Sequence, residues 1–328
     1  LKYMNVEFVW YVQISIIILS FSLAAISYYY VEKPFRYGGL SKKPLVAVLL
    51  YVLPVLILLL LLRLHANFPS SFSDKAIDVE VMTKSTPESG REVCHSENLT
   101  DKNLCYLGDN SQPKTYGLLW GDSHASHFSP FVNLYATEIG LKVKDTTMGD
   151  CPALFNADNY INEVKESCLS KNRKVFNYIN IHRPKYVFIA SSWFGYLQKY
   201  KDDVRADFVL RGMLDTLKEL RLAGAEKVYF FTTVARPERD LSHCYLKELS
   251  YSSGGCDFRL SDKQSKWLEN VKSELVKLSY VTVIDLNDLI CSNSVCKTYL
   301  NEIPLYRDGN HLNKYGSEEL AKLYINKK

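Results

Sequence analysis

The sequence predicts a three-layer α/β/α fold with a mainly parallel sheet, preceded by two transmembrane helices. Three observations carry this expectation. Two uncharged apolar runs open the chain, and short apolar runs then alternate with amphipathic stretches. A Gly-Asp-Ser-His motif and an Asp-x-x-His motif stand at the first and last loops of that alternation.

From Phe8 to Val31 there is no charged residue, and from Leu45 to Leu62 there is again none. About 20 apolar residues span a bilayer as a helix. Two such runs within sixty residues, with no small-residue cleavage site, read as spans rather than as a signal peptide. The loop between them carries Lys33, Arg36, Lys42 and Lys43 against the single acid Glu32. The excess of basic residues assigns this loop to the cytoplasm and the long C-terminal part to the other side. The chain opens at Leu1 rather than at Met, which reads as a fragment of a longer membrane protein.

All eight cysteines, Cys94, Cys105, Cys151, Cys168, Cys244, Cys256, Cys291 and Cys296, lie beyond the second apolar run. An even number confined to the exported part predicts disulfides in an oxidising compartment. Pairing of neighbours (94–105, 151–168, 244–256, 291–296) is expected, because each pair brackets a loop between predicted elements. Zinc fits less well, since no Cys-x-x-Cys pair occurs. The net charge of +4 and pI near 8.4, with no segment interleaving dense Lys/Arg with aromatics, argue against nucleic acid as a partner.

Residues 66–93 lack a clear period and read as a spacer, so 66–113 is expected to be a linker or extension before a domain at 114–328. Within that domain the strands are expected at 115–121, 141–148, 185–191, 227–234 and 281–286. Helical patterns fall near 125–138, 168–182, 203–222, 262–278 and 314–326. Alternating strands and helices imply right-handed crossovers and a parallel sheet covered on both faces. Ligands then sit at the carboxyl ends of the strands, which singles out the loops at 121–124, 148–151, 191–196 and 235–239.

In LLWGDSHASHF, Ser123 follows the first strand and opens a helix. Serine is a common helix cap, and Asp122 can serve equally. The same junction suits a nucleophile, because backbone N–H groups at a helix start can hold an oxyanion. Near the C-terminus, YRDGNHLNKYG places Asp308 and His311 three apart. A carboxylate on one ring nitrogen leaves the other free to take a proton from a serine. His124 and His127 are too close to Ser123 in sequence to serve as an easily placed base, and read as structural or supporting residues. Trp193, Tyr196 and Tyr200 offer ring faces for a sugar or for the core. Arg236 and Arg239 read as a solvated charged loop, with contact to an anionic glycolipid as the alternative.

GDSH and D-x-x-H resemble blocks one and five of the SGNH hydrolases, and SYYYVEKPFR (27–36) resembles the closing helix of the acyltransferase family 3 membrane domain. Together they resemble a bacterial acyltransferase-3/SGNH fusion of the O-antigen acetyltransferase type. The chain would then hold the end of that membrane domain (1–36), a cytoplasmic loop and extra span (37–65), the extension, and a flavodoxin-like SGNH domain (114–328). The resemblance implies Ser123 as nucleophile, His311 as general base and Asp308 as its orienting partner. It also implies Gly149, in TMGDCP, as an oxyanion donor beside Ser123. The family's block-three asparagine is absent from SSWFGY, and Trp193 takes its place on the oxyanion or substrate side.

The resemblance further implies acetyl transfer to a polysaccharide or lipid-linked glycan of the O-antigen or lipopolysaccharide kind, at the periplasmic face of a bacterial inner membrane. Acetyl-CoA is the implied ultimate donor, working through the rest of the membrane domain in cis, with no bound cofactor and no metal. A membrane-tethered carbohydrate acetyl esterase with the same triad is the alternative. A non-catalytic glycan-binding domain, with Ser123 only a cap, is a third.

Overall fold

A computed structural model describes residues 10–37, 52–67, 71–87, 90–109, 111, 116–161, 163–198, 203–241, 244–245 and 255–327. The chain divides into two compact units, Leu1–Lys75 and Ala76–Lys328.

In the first unit, the helix Trp10–Ser27 runs through a π-helical turn, Tyr28–Glu32, into Lys33–Tyr37. Residues Gln13–Tyr30 form an 18-residue stretch long and apolar enough, by length and composition, to cross a membrane. Ile17, Ile18, Phe21 and Leu23 all point outward, an arrangement that is costly in water. Arg36 and Glu32 pair at 2.8 Å across one exposed turn. The second expected span is not established. Residues 45–51 lie outside the described residues, and the helix Leu53–Asn67 beyond them has 15 residues. Among the described residues, Gln13–Tyr30 is the one stretch that meets the length.

The second unit is built on a six-stranded sheet: β1 (Tyr106–Gly108), β2 (Tyr116–Gly121), β3 (Lys142–Asp145), β4 (Tyr186–Ala190), β5 (Lys227–Phe231) and β6 (Val281–Ile284). Their spatial order is β1-β3-β2-β4-β5-β6. β1 is antiparallel to β3, and every other pairing is parallel. The strands are apolar on both faces because helices cover both, and side chains alternate between two cores with the period of two that a strand imposes. Leu119, Phe188 and Phe231 enter one core with Phe131 and Leu320. Leu118, Trp120, Ile189 and Phe230 enter the other with Val175, Met213 and Val271. Each such side chain contributes roughly 1.5–3 kcal/mol on burial. The five parallel strands take the flavodoxin-like order, in which successive crossovers change direction between β2 and β4. The crevice at that reversal, at the carboxyl ends, is where α/β sheets bind ligands.

The segment before residue 114 is more than a spacer. Ser71–Lys84 is a helix, and Val79 and Thr83 within it are buried. β1 extends the sheet, and Arg91 pairs with Asp145 at 2.6 Å. Lys171 Nζ donates to Ser96 O at 2.6 Å, and Lys144 donates to Thr100 O at 2.8 Å and pairs with Asp101. At three residues, β1 is too short for a periodic pattern, which is why the sequence conceals it.

Four disulfides join Cys94–Cys105, Cys151–Cys168, Cys244–Cys256 and Cys291–Cys296. Loops of this size contribute roughly 2–4 kcal/mol each by restricting the unfolded chain. Thiol titration of denatured, unreduced protein from an oxidising compartment is expected to find essentially no free thiol. Four or more would contradict the pairing.

Candidate active site

β2 ends at Gly121, whose φ is +151°. A side chain there would overlap the carbonyl oxygen of Ala190 and lie 2.8 Å from Ala125 Cβ. Only glycine lets the helix start come this close to β4. Gly121→Ala is therefore expected to lower stability by about 1–3 kcal/mol or more through overpacking, seen as a fall in Tm, and to displace Ser123.

Asp122 caps the helix Ser123–His127, its Oδ1 accepting from His124 N–H at 2.7 Å. Its Oδ2 accepts from Ser192 N–H and from the Tyr196 hydroxyl, both at 2.8 Å. One buried carboxylate thus fastens the loop after β2 to the loop after β4. Burial pushes it up to about 6, against the opposing pull of those three hydrogen bonds.

Ser123, the first residue of that helix, is part-buried. His311 comes to it from the other end of the domain, its Nε2 2.9 Å from Ser123 Oγ. The other ring nitrogen, Nδ1, lies 3.1 and 3.0 Å from the two Asp308 carboxylate oxygens. Asp308 Oδ1 also accepts from the N–H groups of Asn310 and His311, each at 2.7 Å. The turn is shaped by the carboxylate that orients the ring. Burial raises the Asp308 pKa, but the His311 hydrogen bond, its charge and the two backbone donors outweigh it and hold the carboxyl well below the ordinary range. An ionised carboxylate can only accept, so Nδ1 carries the proton and Nε2 presents a lone pair to the Ser123 hydroxyl.

His124 and His127 are fully buried, with ring centroids 5.2 and 6.1 Å from that of His311. Burial holds both well below the ordinary imidazole range. They pack behind the His311 ring as neutral rings, and Leu312 N–H donates to His127 Nδ1 at 3.4 Å.

The remaining candidates part company. Trp193 is a correction: it is 0% exposed, lies parallel to Phe230 at 5.2 Å, and donates its Nε1–H to Phe231 O at 3.1 Å. It is a core residue with its donor engaged, and it offers nothing to an oxyanion or a substrate. Gly149 lies exposed in the turn after β3, where an added Cβ would sit 3.5 Å from His95 Nε2. Tyr196 is buried as the partner of Asp122 rather than presented to a sugar. Tyr200 lies outside the described residues. Arg236 is not solvated: its side chain is 10% exposed and its Nη1 donates to Asn310 Oδ1 at 2.7 Å. Arg239 is exposed, with Nη2 3.4 Å from Gly255 O. Among the described residues, no group of His, Cys, Asp and Glu is arranged to hold a metal ion.

Sequence reasoning missed Gly121, Asp122 as the link between loops, and Asn310. The first two lie inside GDSH, where the serine draws attention. Asn310 lies inside D-x-x-H, between the two residues the motif names.

A family model described as an SGNH domain fused to AT3 domains matches residues 93–326. Among solved structures, the chain is similar to the periplasmic domain of a lipopolysaccharide acetyltransferase from Salmonella ser. Paratyphi A. That likeness has 19% identity and a TM-score of 0.54, and covers 79% of this chain and 97% of that one. It is more distantly similar to TesA (10% identity, TM-score 0.40, covering 65% and 97%). Similar again is the salicylyl-acyltransferase SsfX3 of a tetracycline biosynthetic pathway (12%, 0.37, covering 66% and 55%). No curated protein matches. At 19% identity the first of these likenesses speaks to the fold alone.

Proposed function

The chain belongs to the family of SGNH domains fused to AT3 domains, and on that premise we propose that it is a serine-type O-acetyltransferase acting on a surface glycan. The observation that carries this reading is the contact between Ser123 and His311, 2.9 Å apart although 188 residues separate them, with Asp308 holding the far side of the ring.

In the first half-reaction, Ser123 Oγ attacks the acetyl carbonyl while its proton passes to His311 Nε2. The imidazolium formed is stabilised by Asp308. The Ser123 N–H, at the helix start, and the Gly149 N–H are the proposed donors to the oxyanion. The leaving group takes the proton from Nε2, and Ser123 is left as an ester. In the second half-reaction, a sugar hydroxyl gives its proton to Nε2 and attacks the ester carbonyl. The bond to Oγ breaks, and Ser123 recovers its proton from His311.

The acceptor proposed is a polysaccharide or lipid-linked glycan of the lipopolysaccharide or O-antigen kind, on the periplasmic side of an inner membrane. The acetyl group would start as cytoplasmic acetyl-CoA and reach Ser123 through an acyltransferase membrane domain in cis. The fusion named by the family and the apolar helix at Gln13–Tyr30 support this arrangement. Glycan mass spectra from cells with the full-length gene and with its Ser123→Ala form test it. Acetylated glycan is expected only in the former, and equal acetylation in both would sink the reading.

A further inference from the structure

A cavity of about 390 Å³ opens beside the His311 turn, lined by Arg236, Glu238, Gly309 and Asn310. Its walls are the loop after β5 and the turn that carries Asp308. The two are fastened together. Glu238 N–H donates to Gly309 O at 3.0 Å, and a Cβ at Gly309 would lie only 2.8–3.0 Å from the Arg239 backbone.

Arg236 forms the inner wall, its guanidinium 5.9 Å from the Phe194 ring centroid. Because a guanidinium can only donate, the Asn310 oxygen must face Arg236 Nη1. That fixes the amide, and Asn310 Nδ2 points toward the triad, 3.4 Å from His311 Nε2. Asn310 thus both lines the cavity and approaches the nitrogen that, in the proposed mechanism, takes the acceptor's proton. Glu238 stands at the rim, 63% exposed, its carboxylate 4.0 Å from Arg236.

A hydroxyl deprotonated by His311 has to come within hydrogen-bond reach of Nε2, and the molecule bearing it must occupy adjoining space. We propose that this cavity is the acceptor subsite, and that it takes a neutral pyranose ring presenting vicinal hydroxyls to Arg236 and Glu238; this rests on the acetyl-transfer reading. Its volume lies toward the lower end of the roughly 300–1,000 Å³ range of small-molecule sites. A guanidinium that donates and a carboxylate that accepts suit neighbouring hydroxyls, each of which does both. The Glu238 carboxylate disfavours an acidic sugar placed against Arg236.

The test uses the full chain in detergent, with a small activated acetyl ester as donor and three acceptor conditions: a neutral methyl hexopyranoside, its uronic acid, and water alone. Acetyl-sugar and free acetate are both quantified, giving a ratio of transfer to hydrolysis. The neutral pyranoside is expected to be the better acceptor. Arg236→Met and Glu238→Gln are each expected to lower the transfer ratio about tenfold, the scale of a lost hydrogen bond to a charged group. Glu238→Asp should lose less. Because Glu238 is exposed, Glu238→Gln decides the matter even where Arg236→Met fails to fold. Wild-type transfer with an unmoved ratio in Glu238→Gln would overturn the subsite and leave the serine chemistry standing. Preference for the uronic acid would overturn the ligand class. Wild-type hydrolysis without any sugar acetylation would contradict both the subsite and acetyl transfer, and an active Ser123→Ala protein would sink the serine mechanism itself.

Discussion

Ser123→Ala is expected to lower the turnover of a small acetyl ester by on the order of 10⁴-fold or more, the scale seen when a member of a catalytic triad is removed. Ser123 is part-buried at the mouth of the first loop, and its hydroxyl meets His311 Nε2 at 2.9 Å. Losing the oxygen leaves the cap intact, because Asp122 rather than Ser123 closes the helix. The fold should therefore survive, with an unchanged melting curve. His311→Ala is expected to cost a similar factor. The double variant should be scarcely worse than either single one, since base and nucleophile act on the same proton. Additive losses would show that the two side chains work apart, and an active Ser123→Ala protein would show that this serine is only structural.

The second large effect concerns the donor. The C-terminal part alone, about residues 66–328, is expected to hydrolyse activated acetyl esters slowly but to transfer nothing from acetyl-CoA to a glycan. Acetyl-CoA is polyanionic and does not cross a bilayer unaided, whereas the acceptor proposed above lies on the periplasmic side. On that proposal the acetyl group would have to be relayed, and the AT3 domain to which the family's SGNH domains are fused is the candidate. Mixing the purified C-terminal part with acetyl-CoA and deacetylated glycan checks this by mass spectrometry. Efficient transfer there would remove the need for a relay and reduce the membrane segments to an anchor.

The candidate site residues Ser123, Asp308 and His311 and the five parallel strands were legible because each announces itself locally. A strand of four to six residues covered on both faces reads as an apolar run, and Ser123, Asp308 and His311 stand in two short motifs. β1 was not legible, because three residues joined to an edge carry no period. The helix Ser71–Lys84 was also concealed, since its sequence, SFSDKAIDVEVMTK, has no sustained apolar stripe. Trp193 misled for a different reason. An aromatic residue just past a strand is equally at home in a substrate cleft or in the core, and only the Phe230 ring and the Phe231 carbonyl decide. Arg236 misled likewise. A charged residue in a loop reads as solvated until its partner is known, and Asn310 is 74 residues away. Long-range links that no motif marks stayed hidden as well, among them that of Asp122 to Ser192 and Tyr196.

The most direct test of the serine mechanism is to trap its intermediate. The protein would be mixed with an activated acetyl ester, quenched in acid during turnover and digested, and its peptides mapped by mass spectrometry. One acetyl group is expected on the peptide containing Ser123, on that residue, and none there in Ser123→Ala. Turnover with no covalent acetyl group on the protein, or with the acetyl group on another residue, would contradict the account.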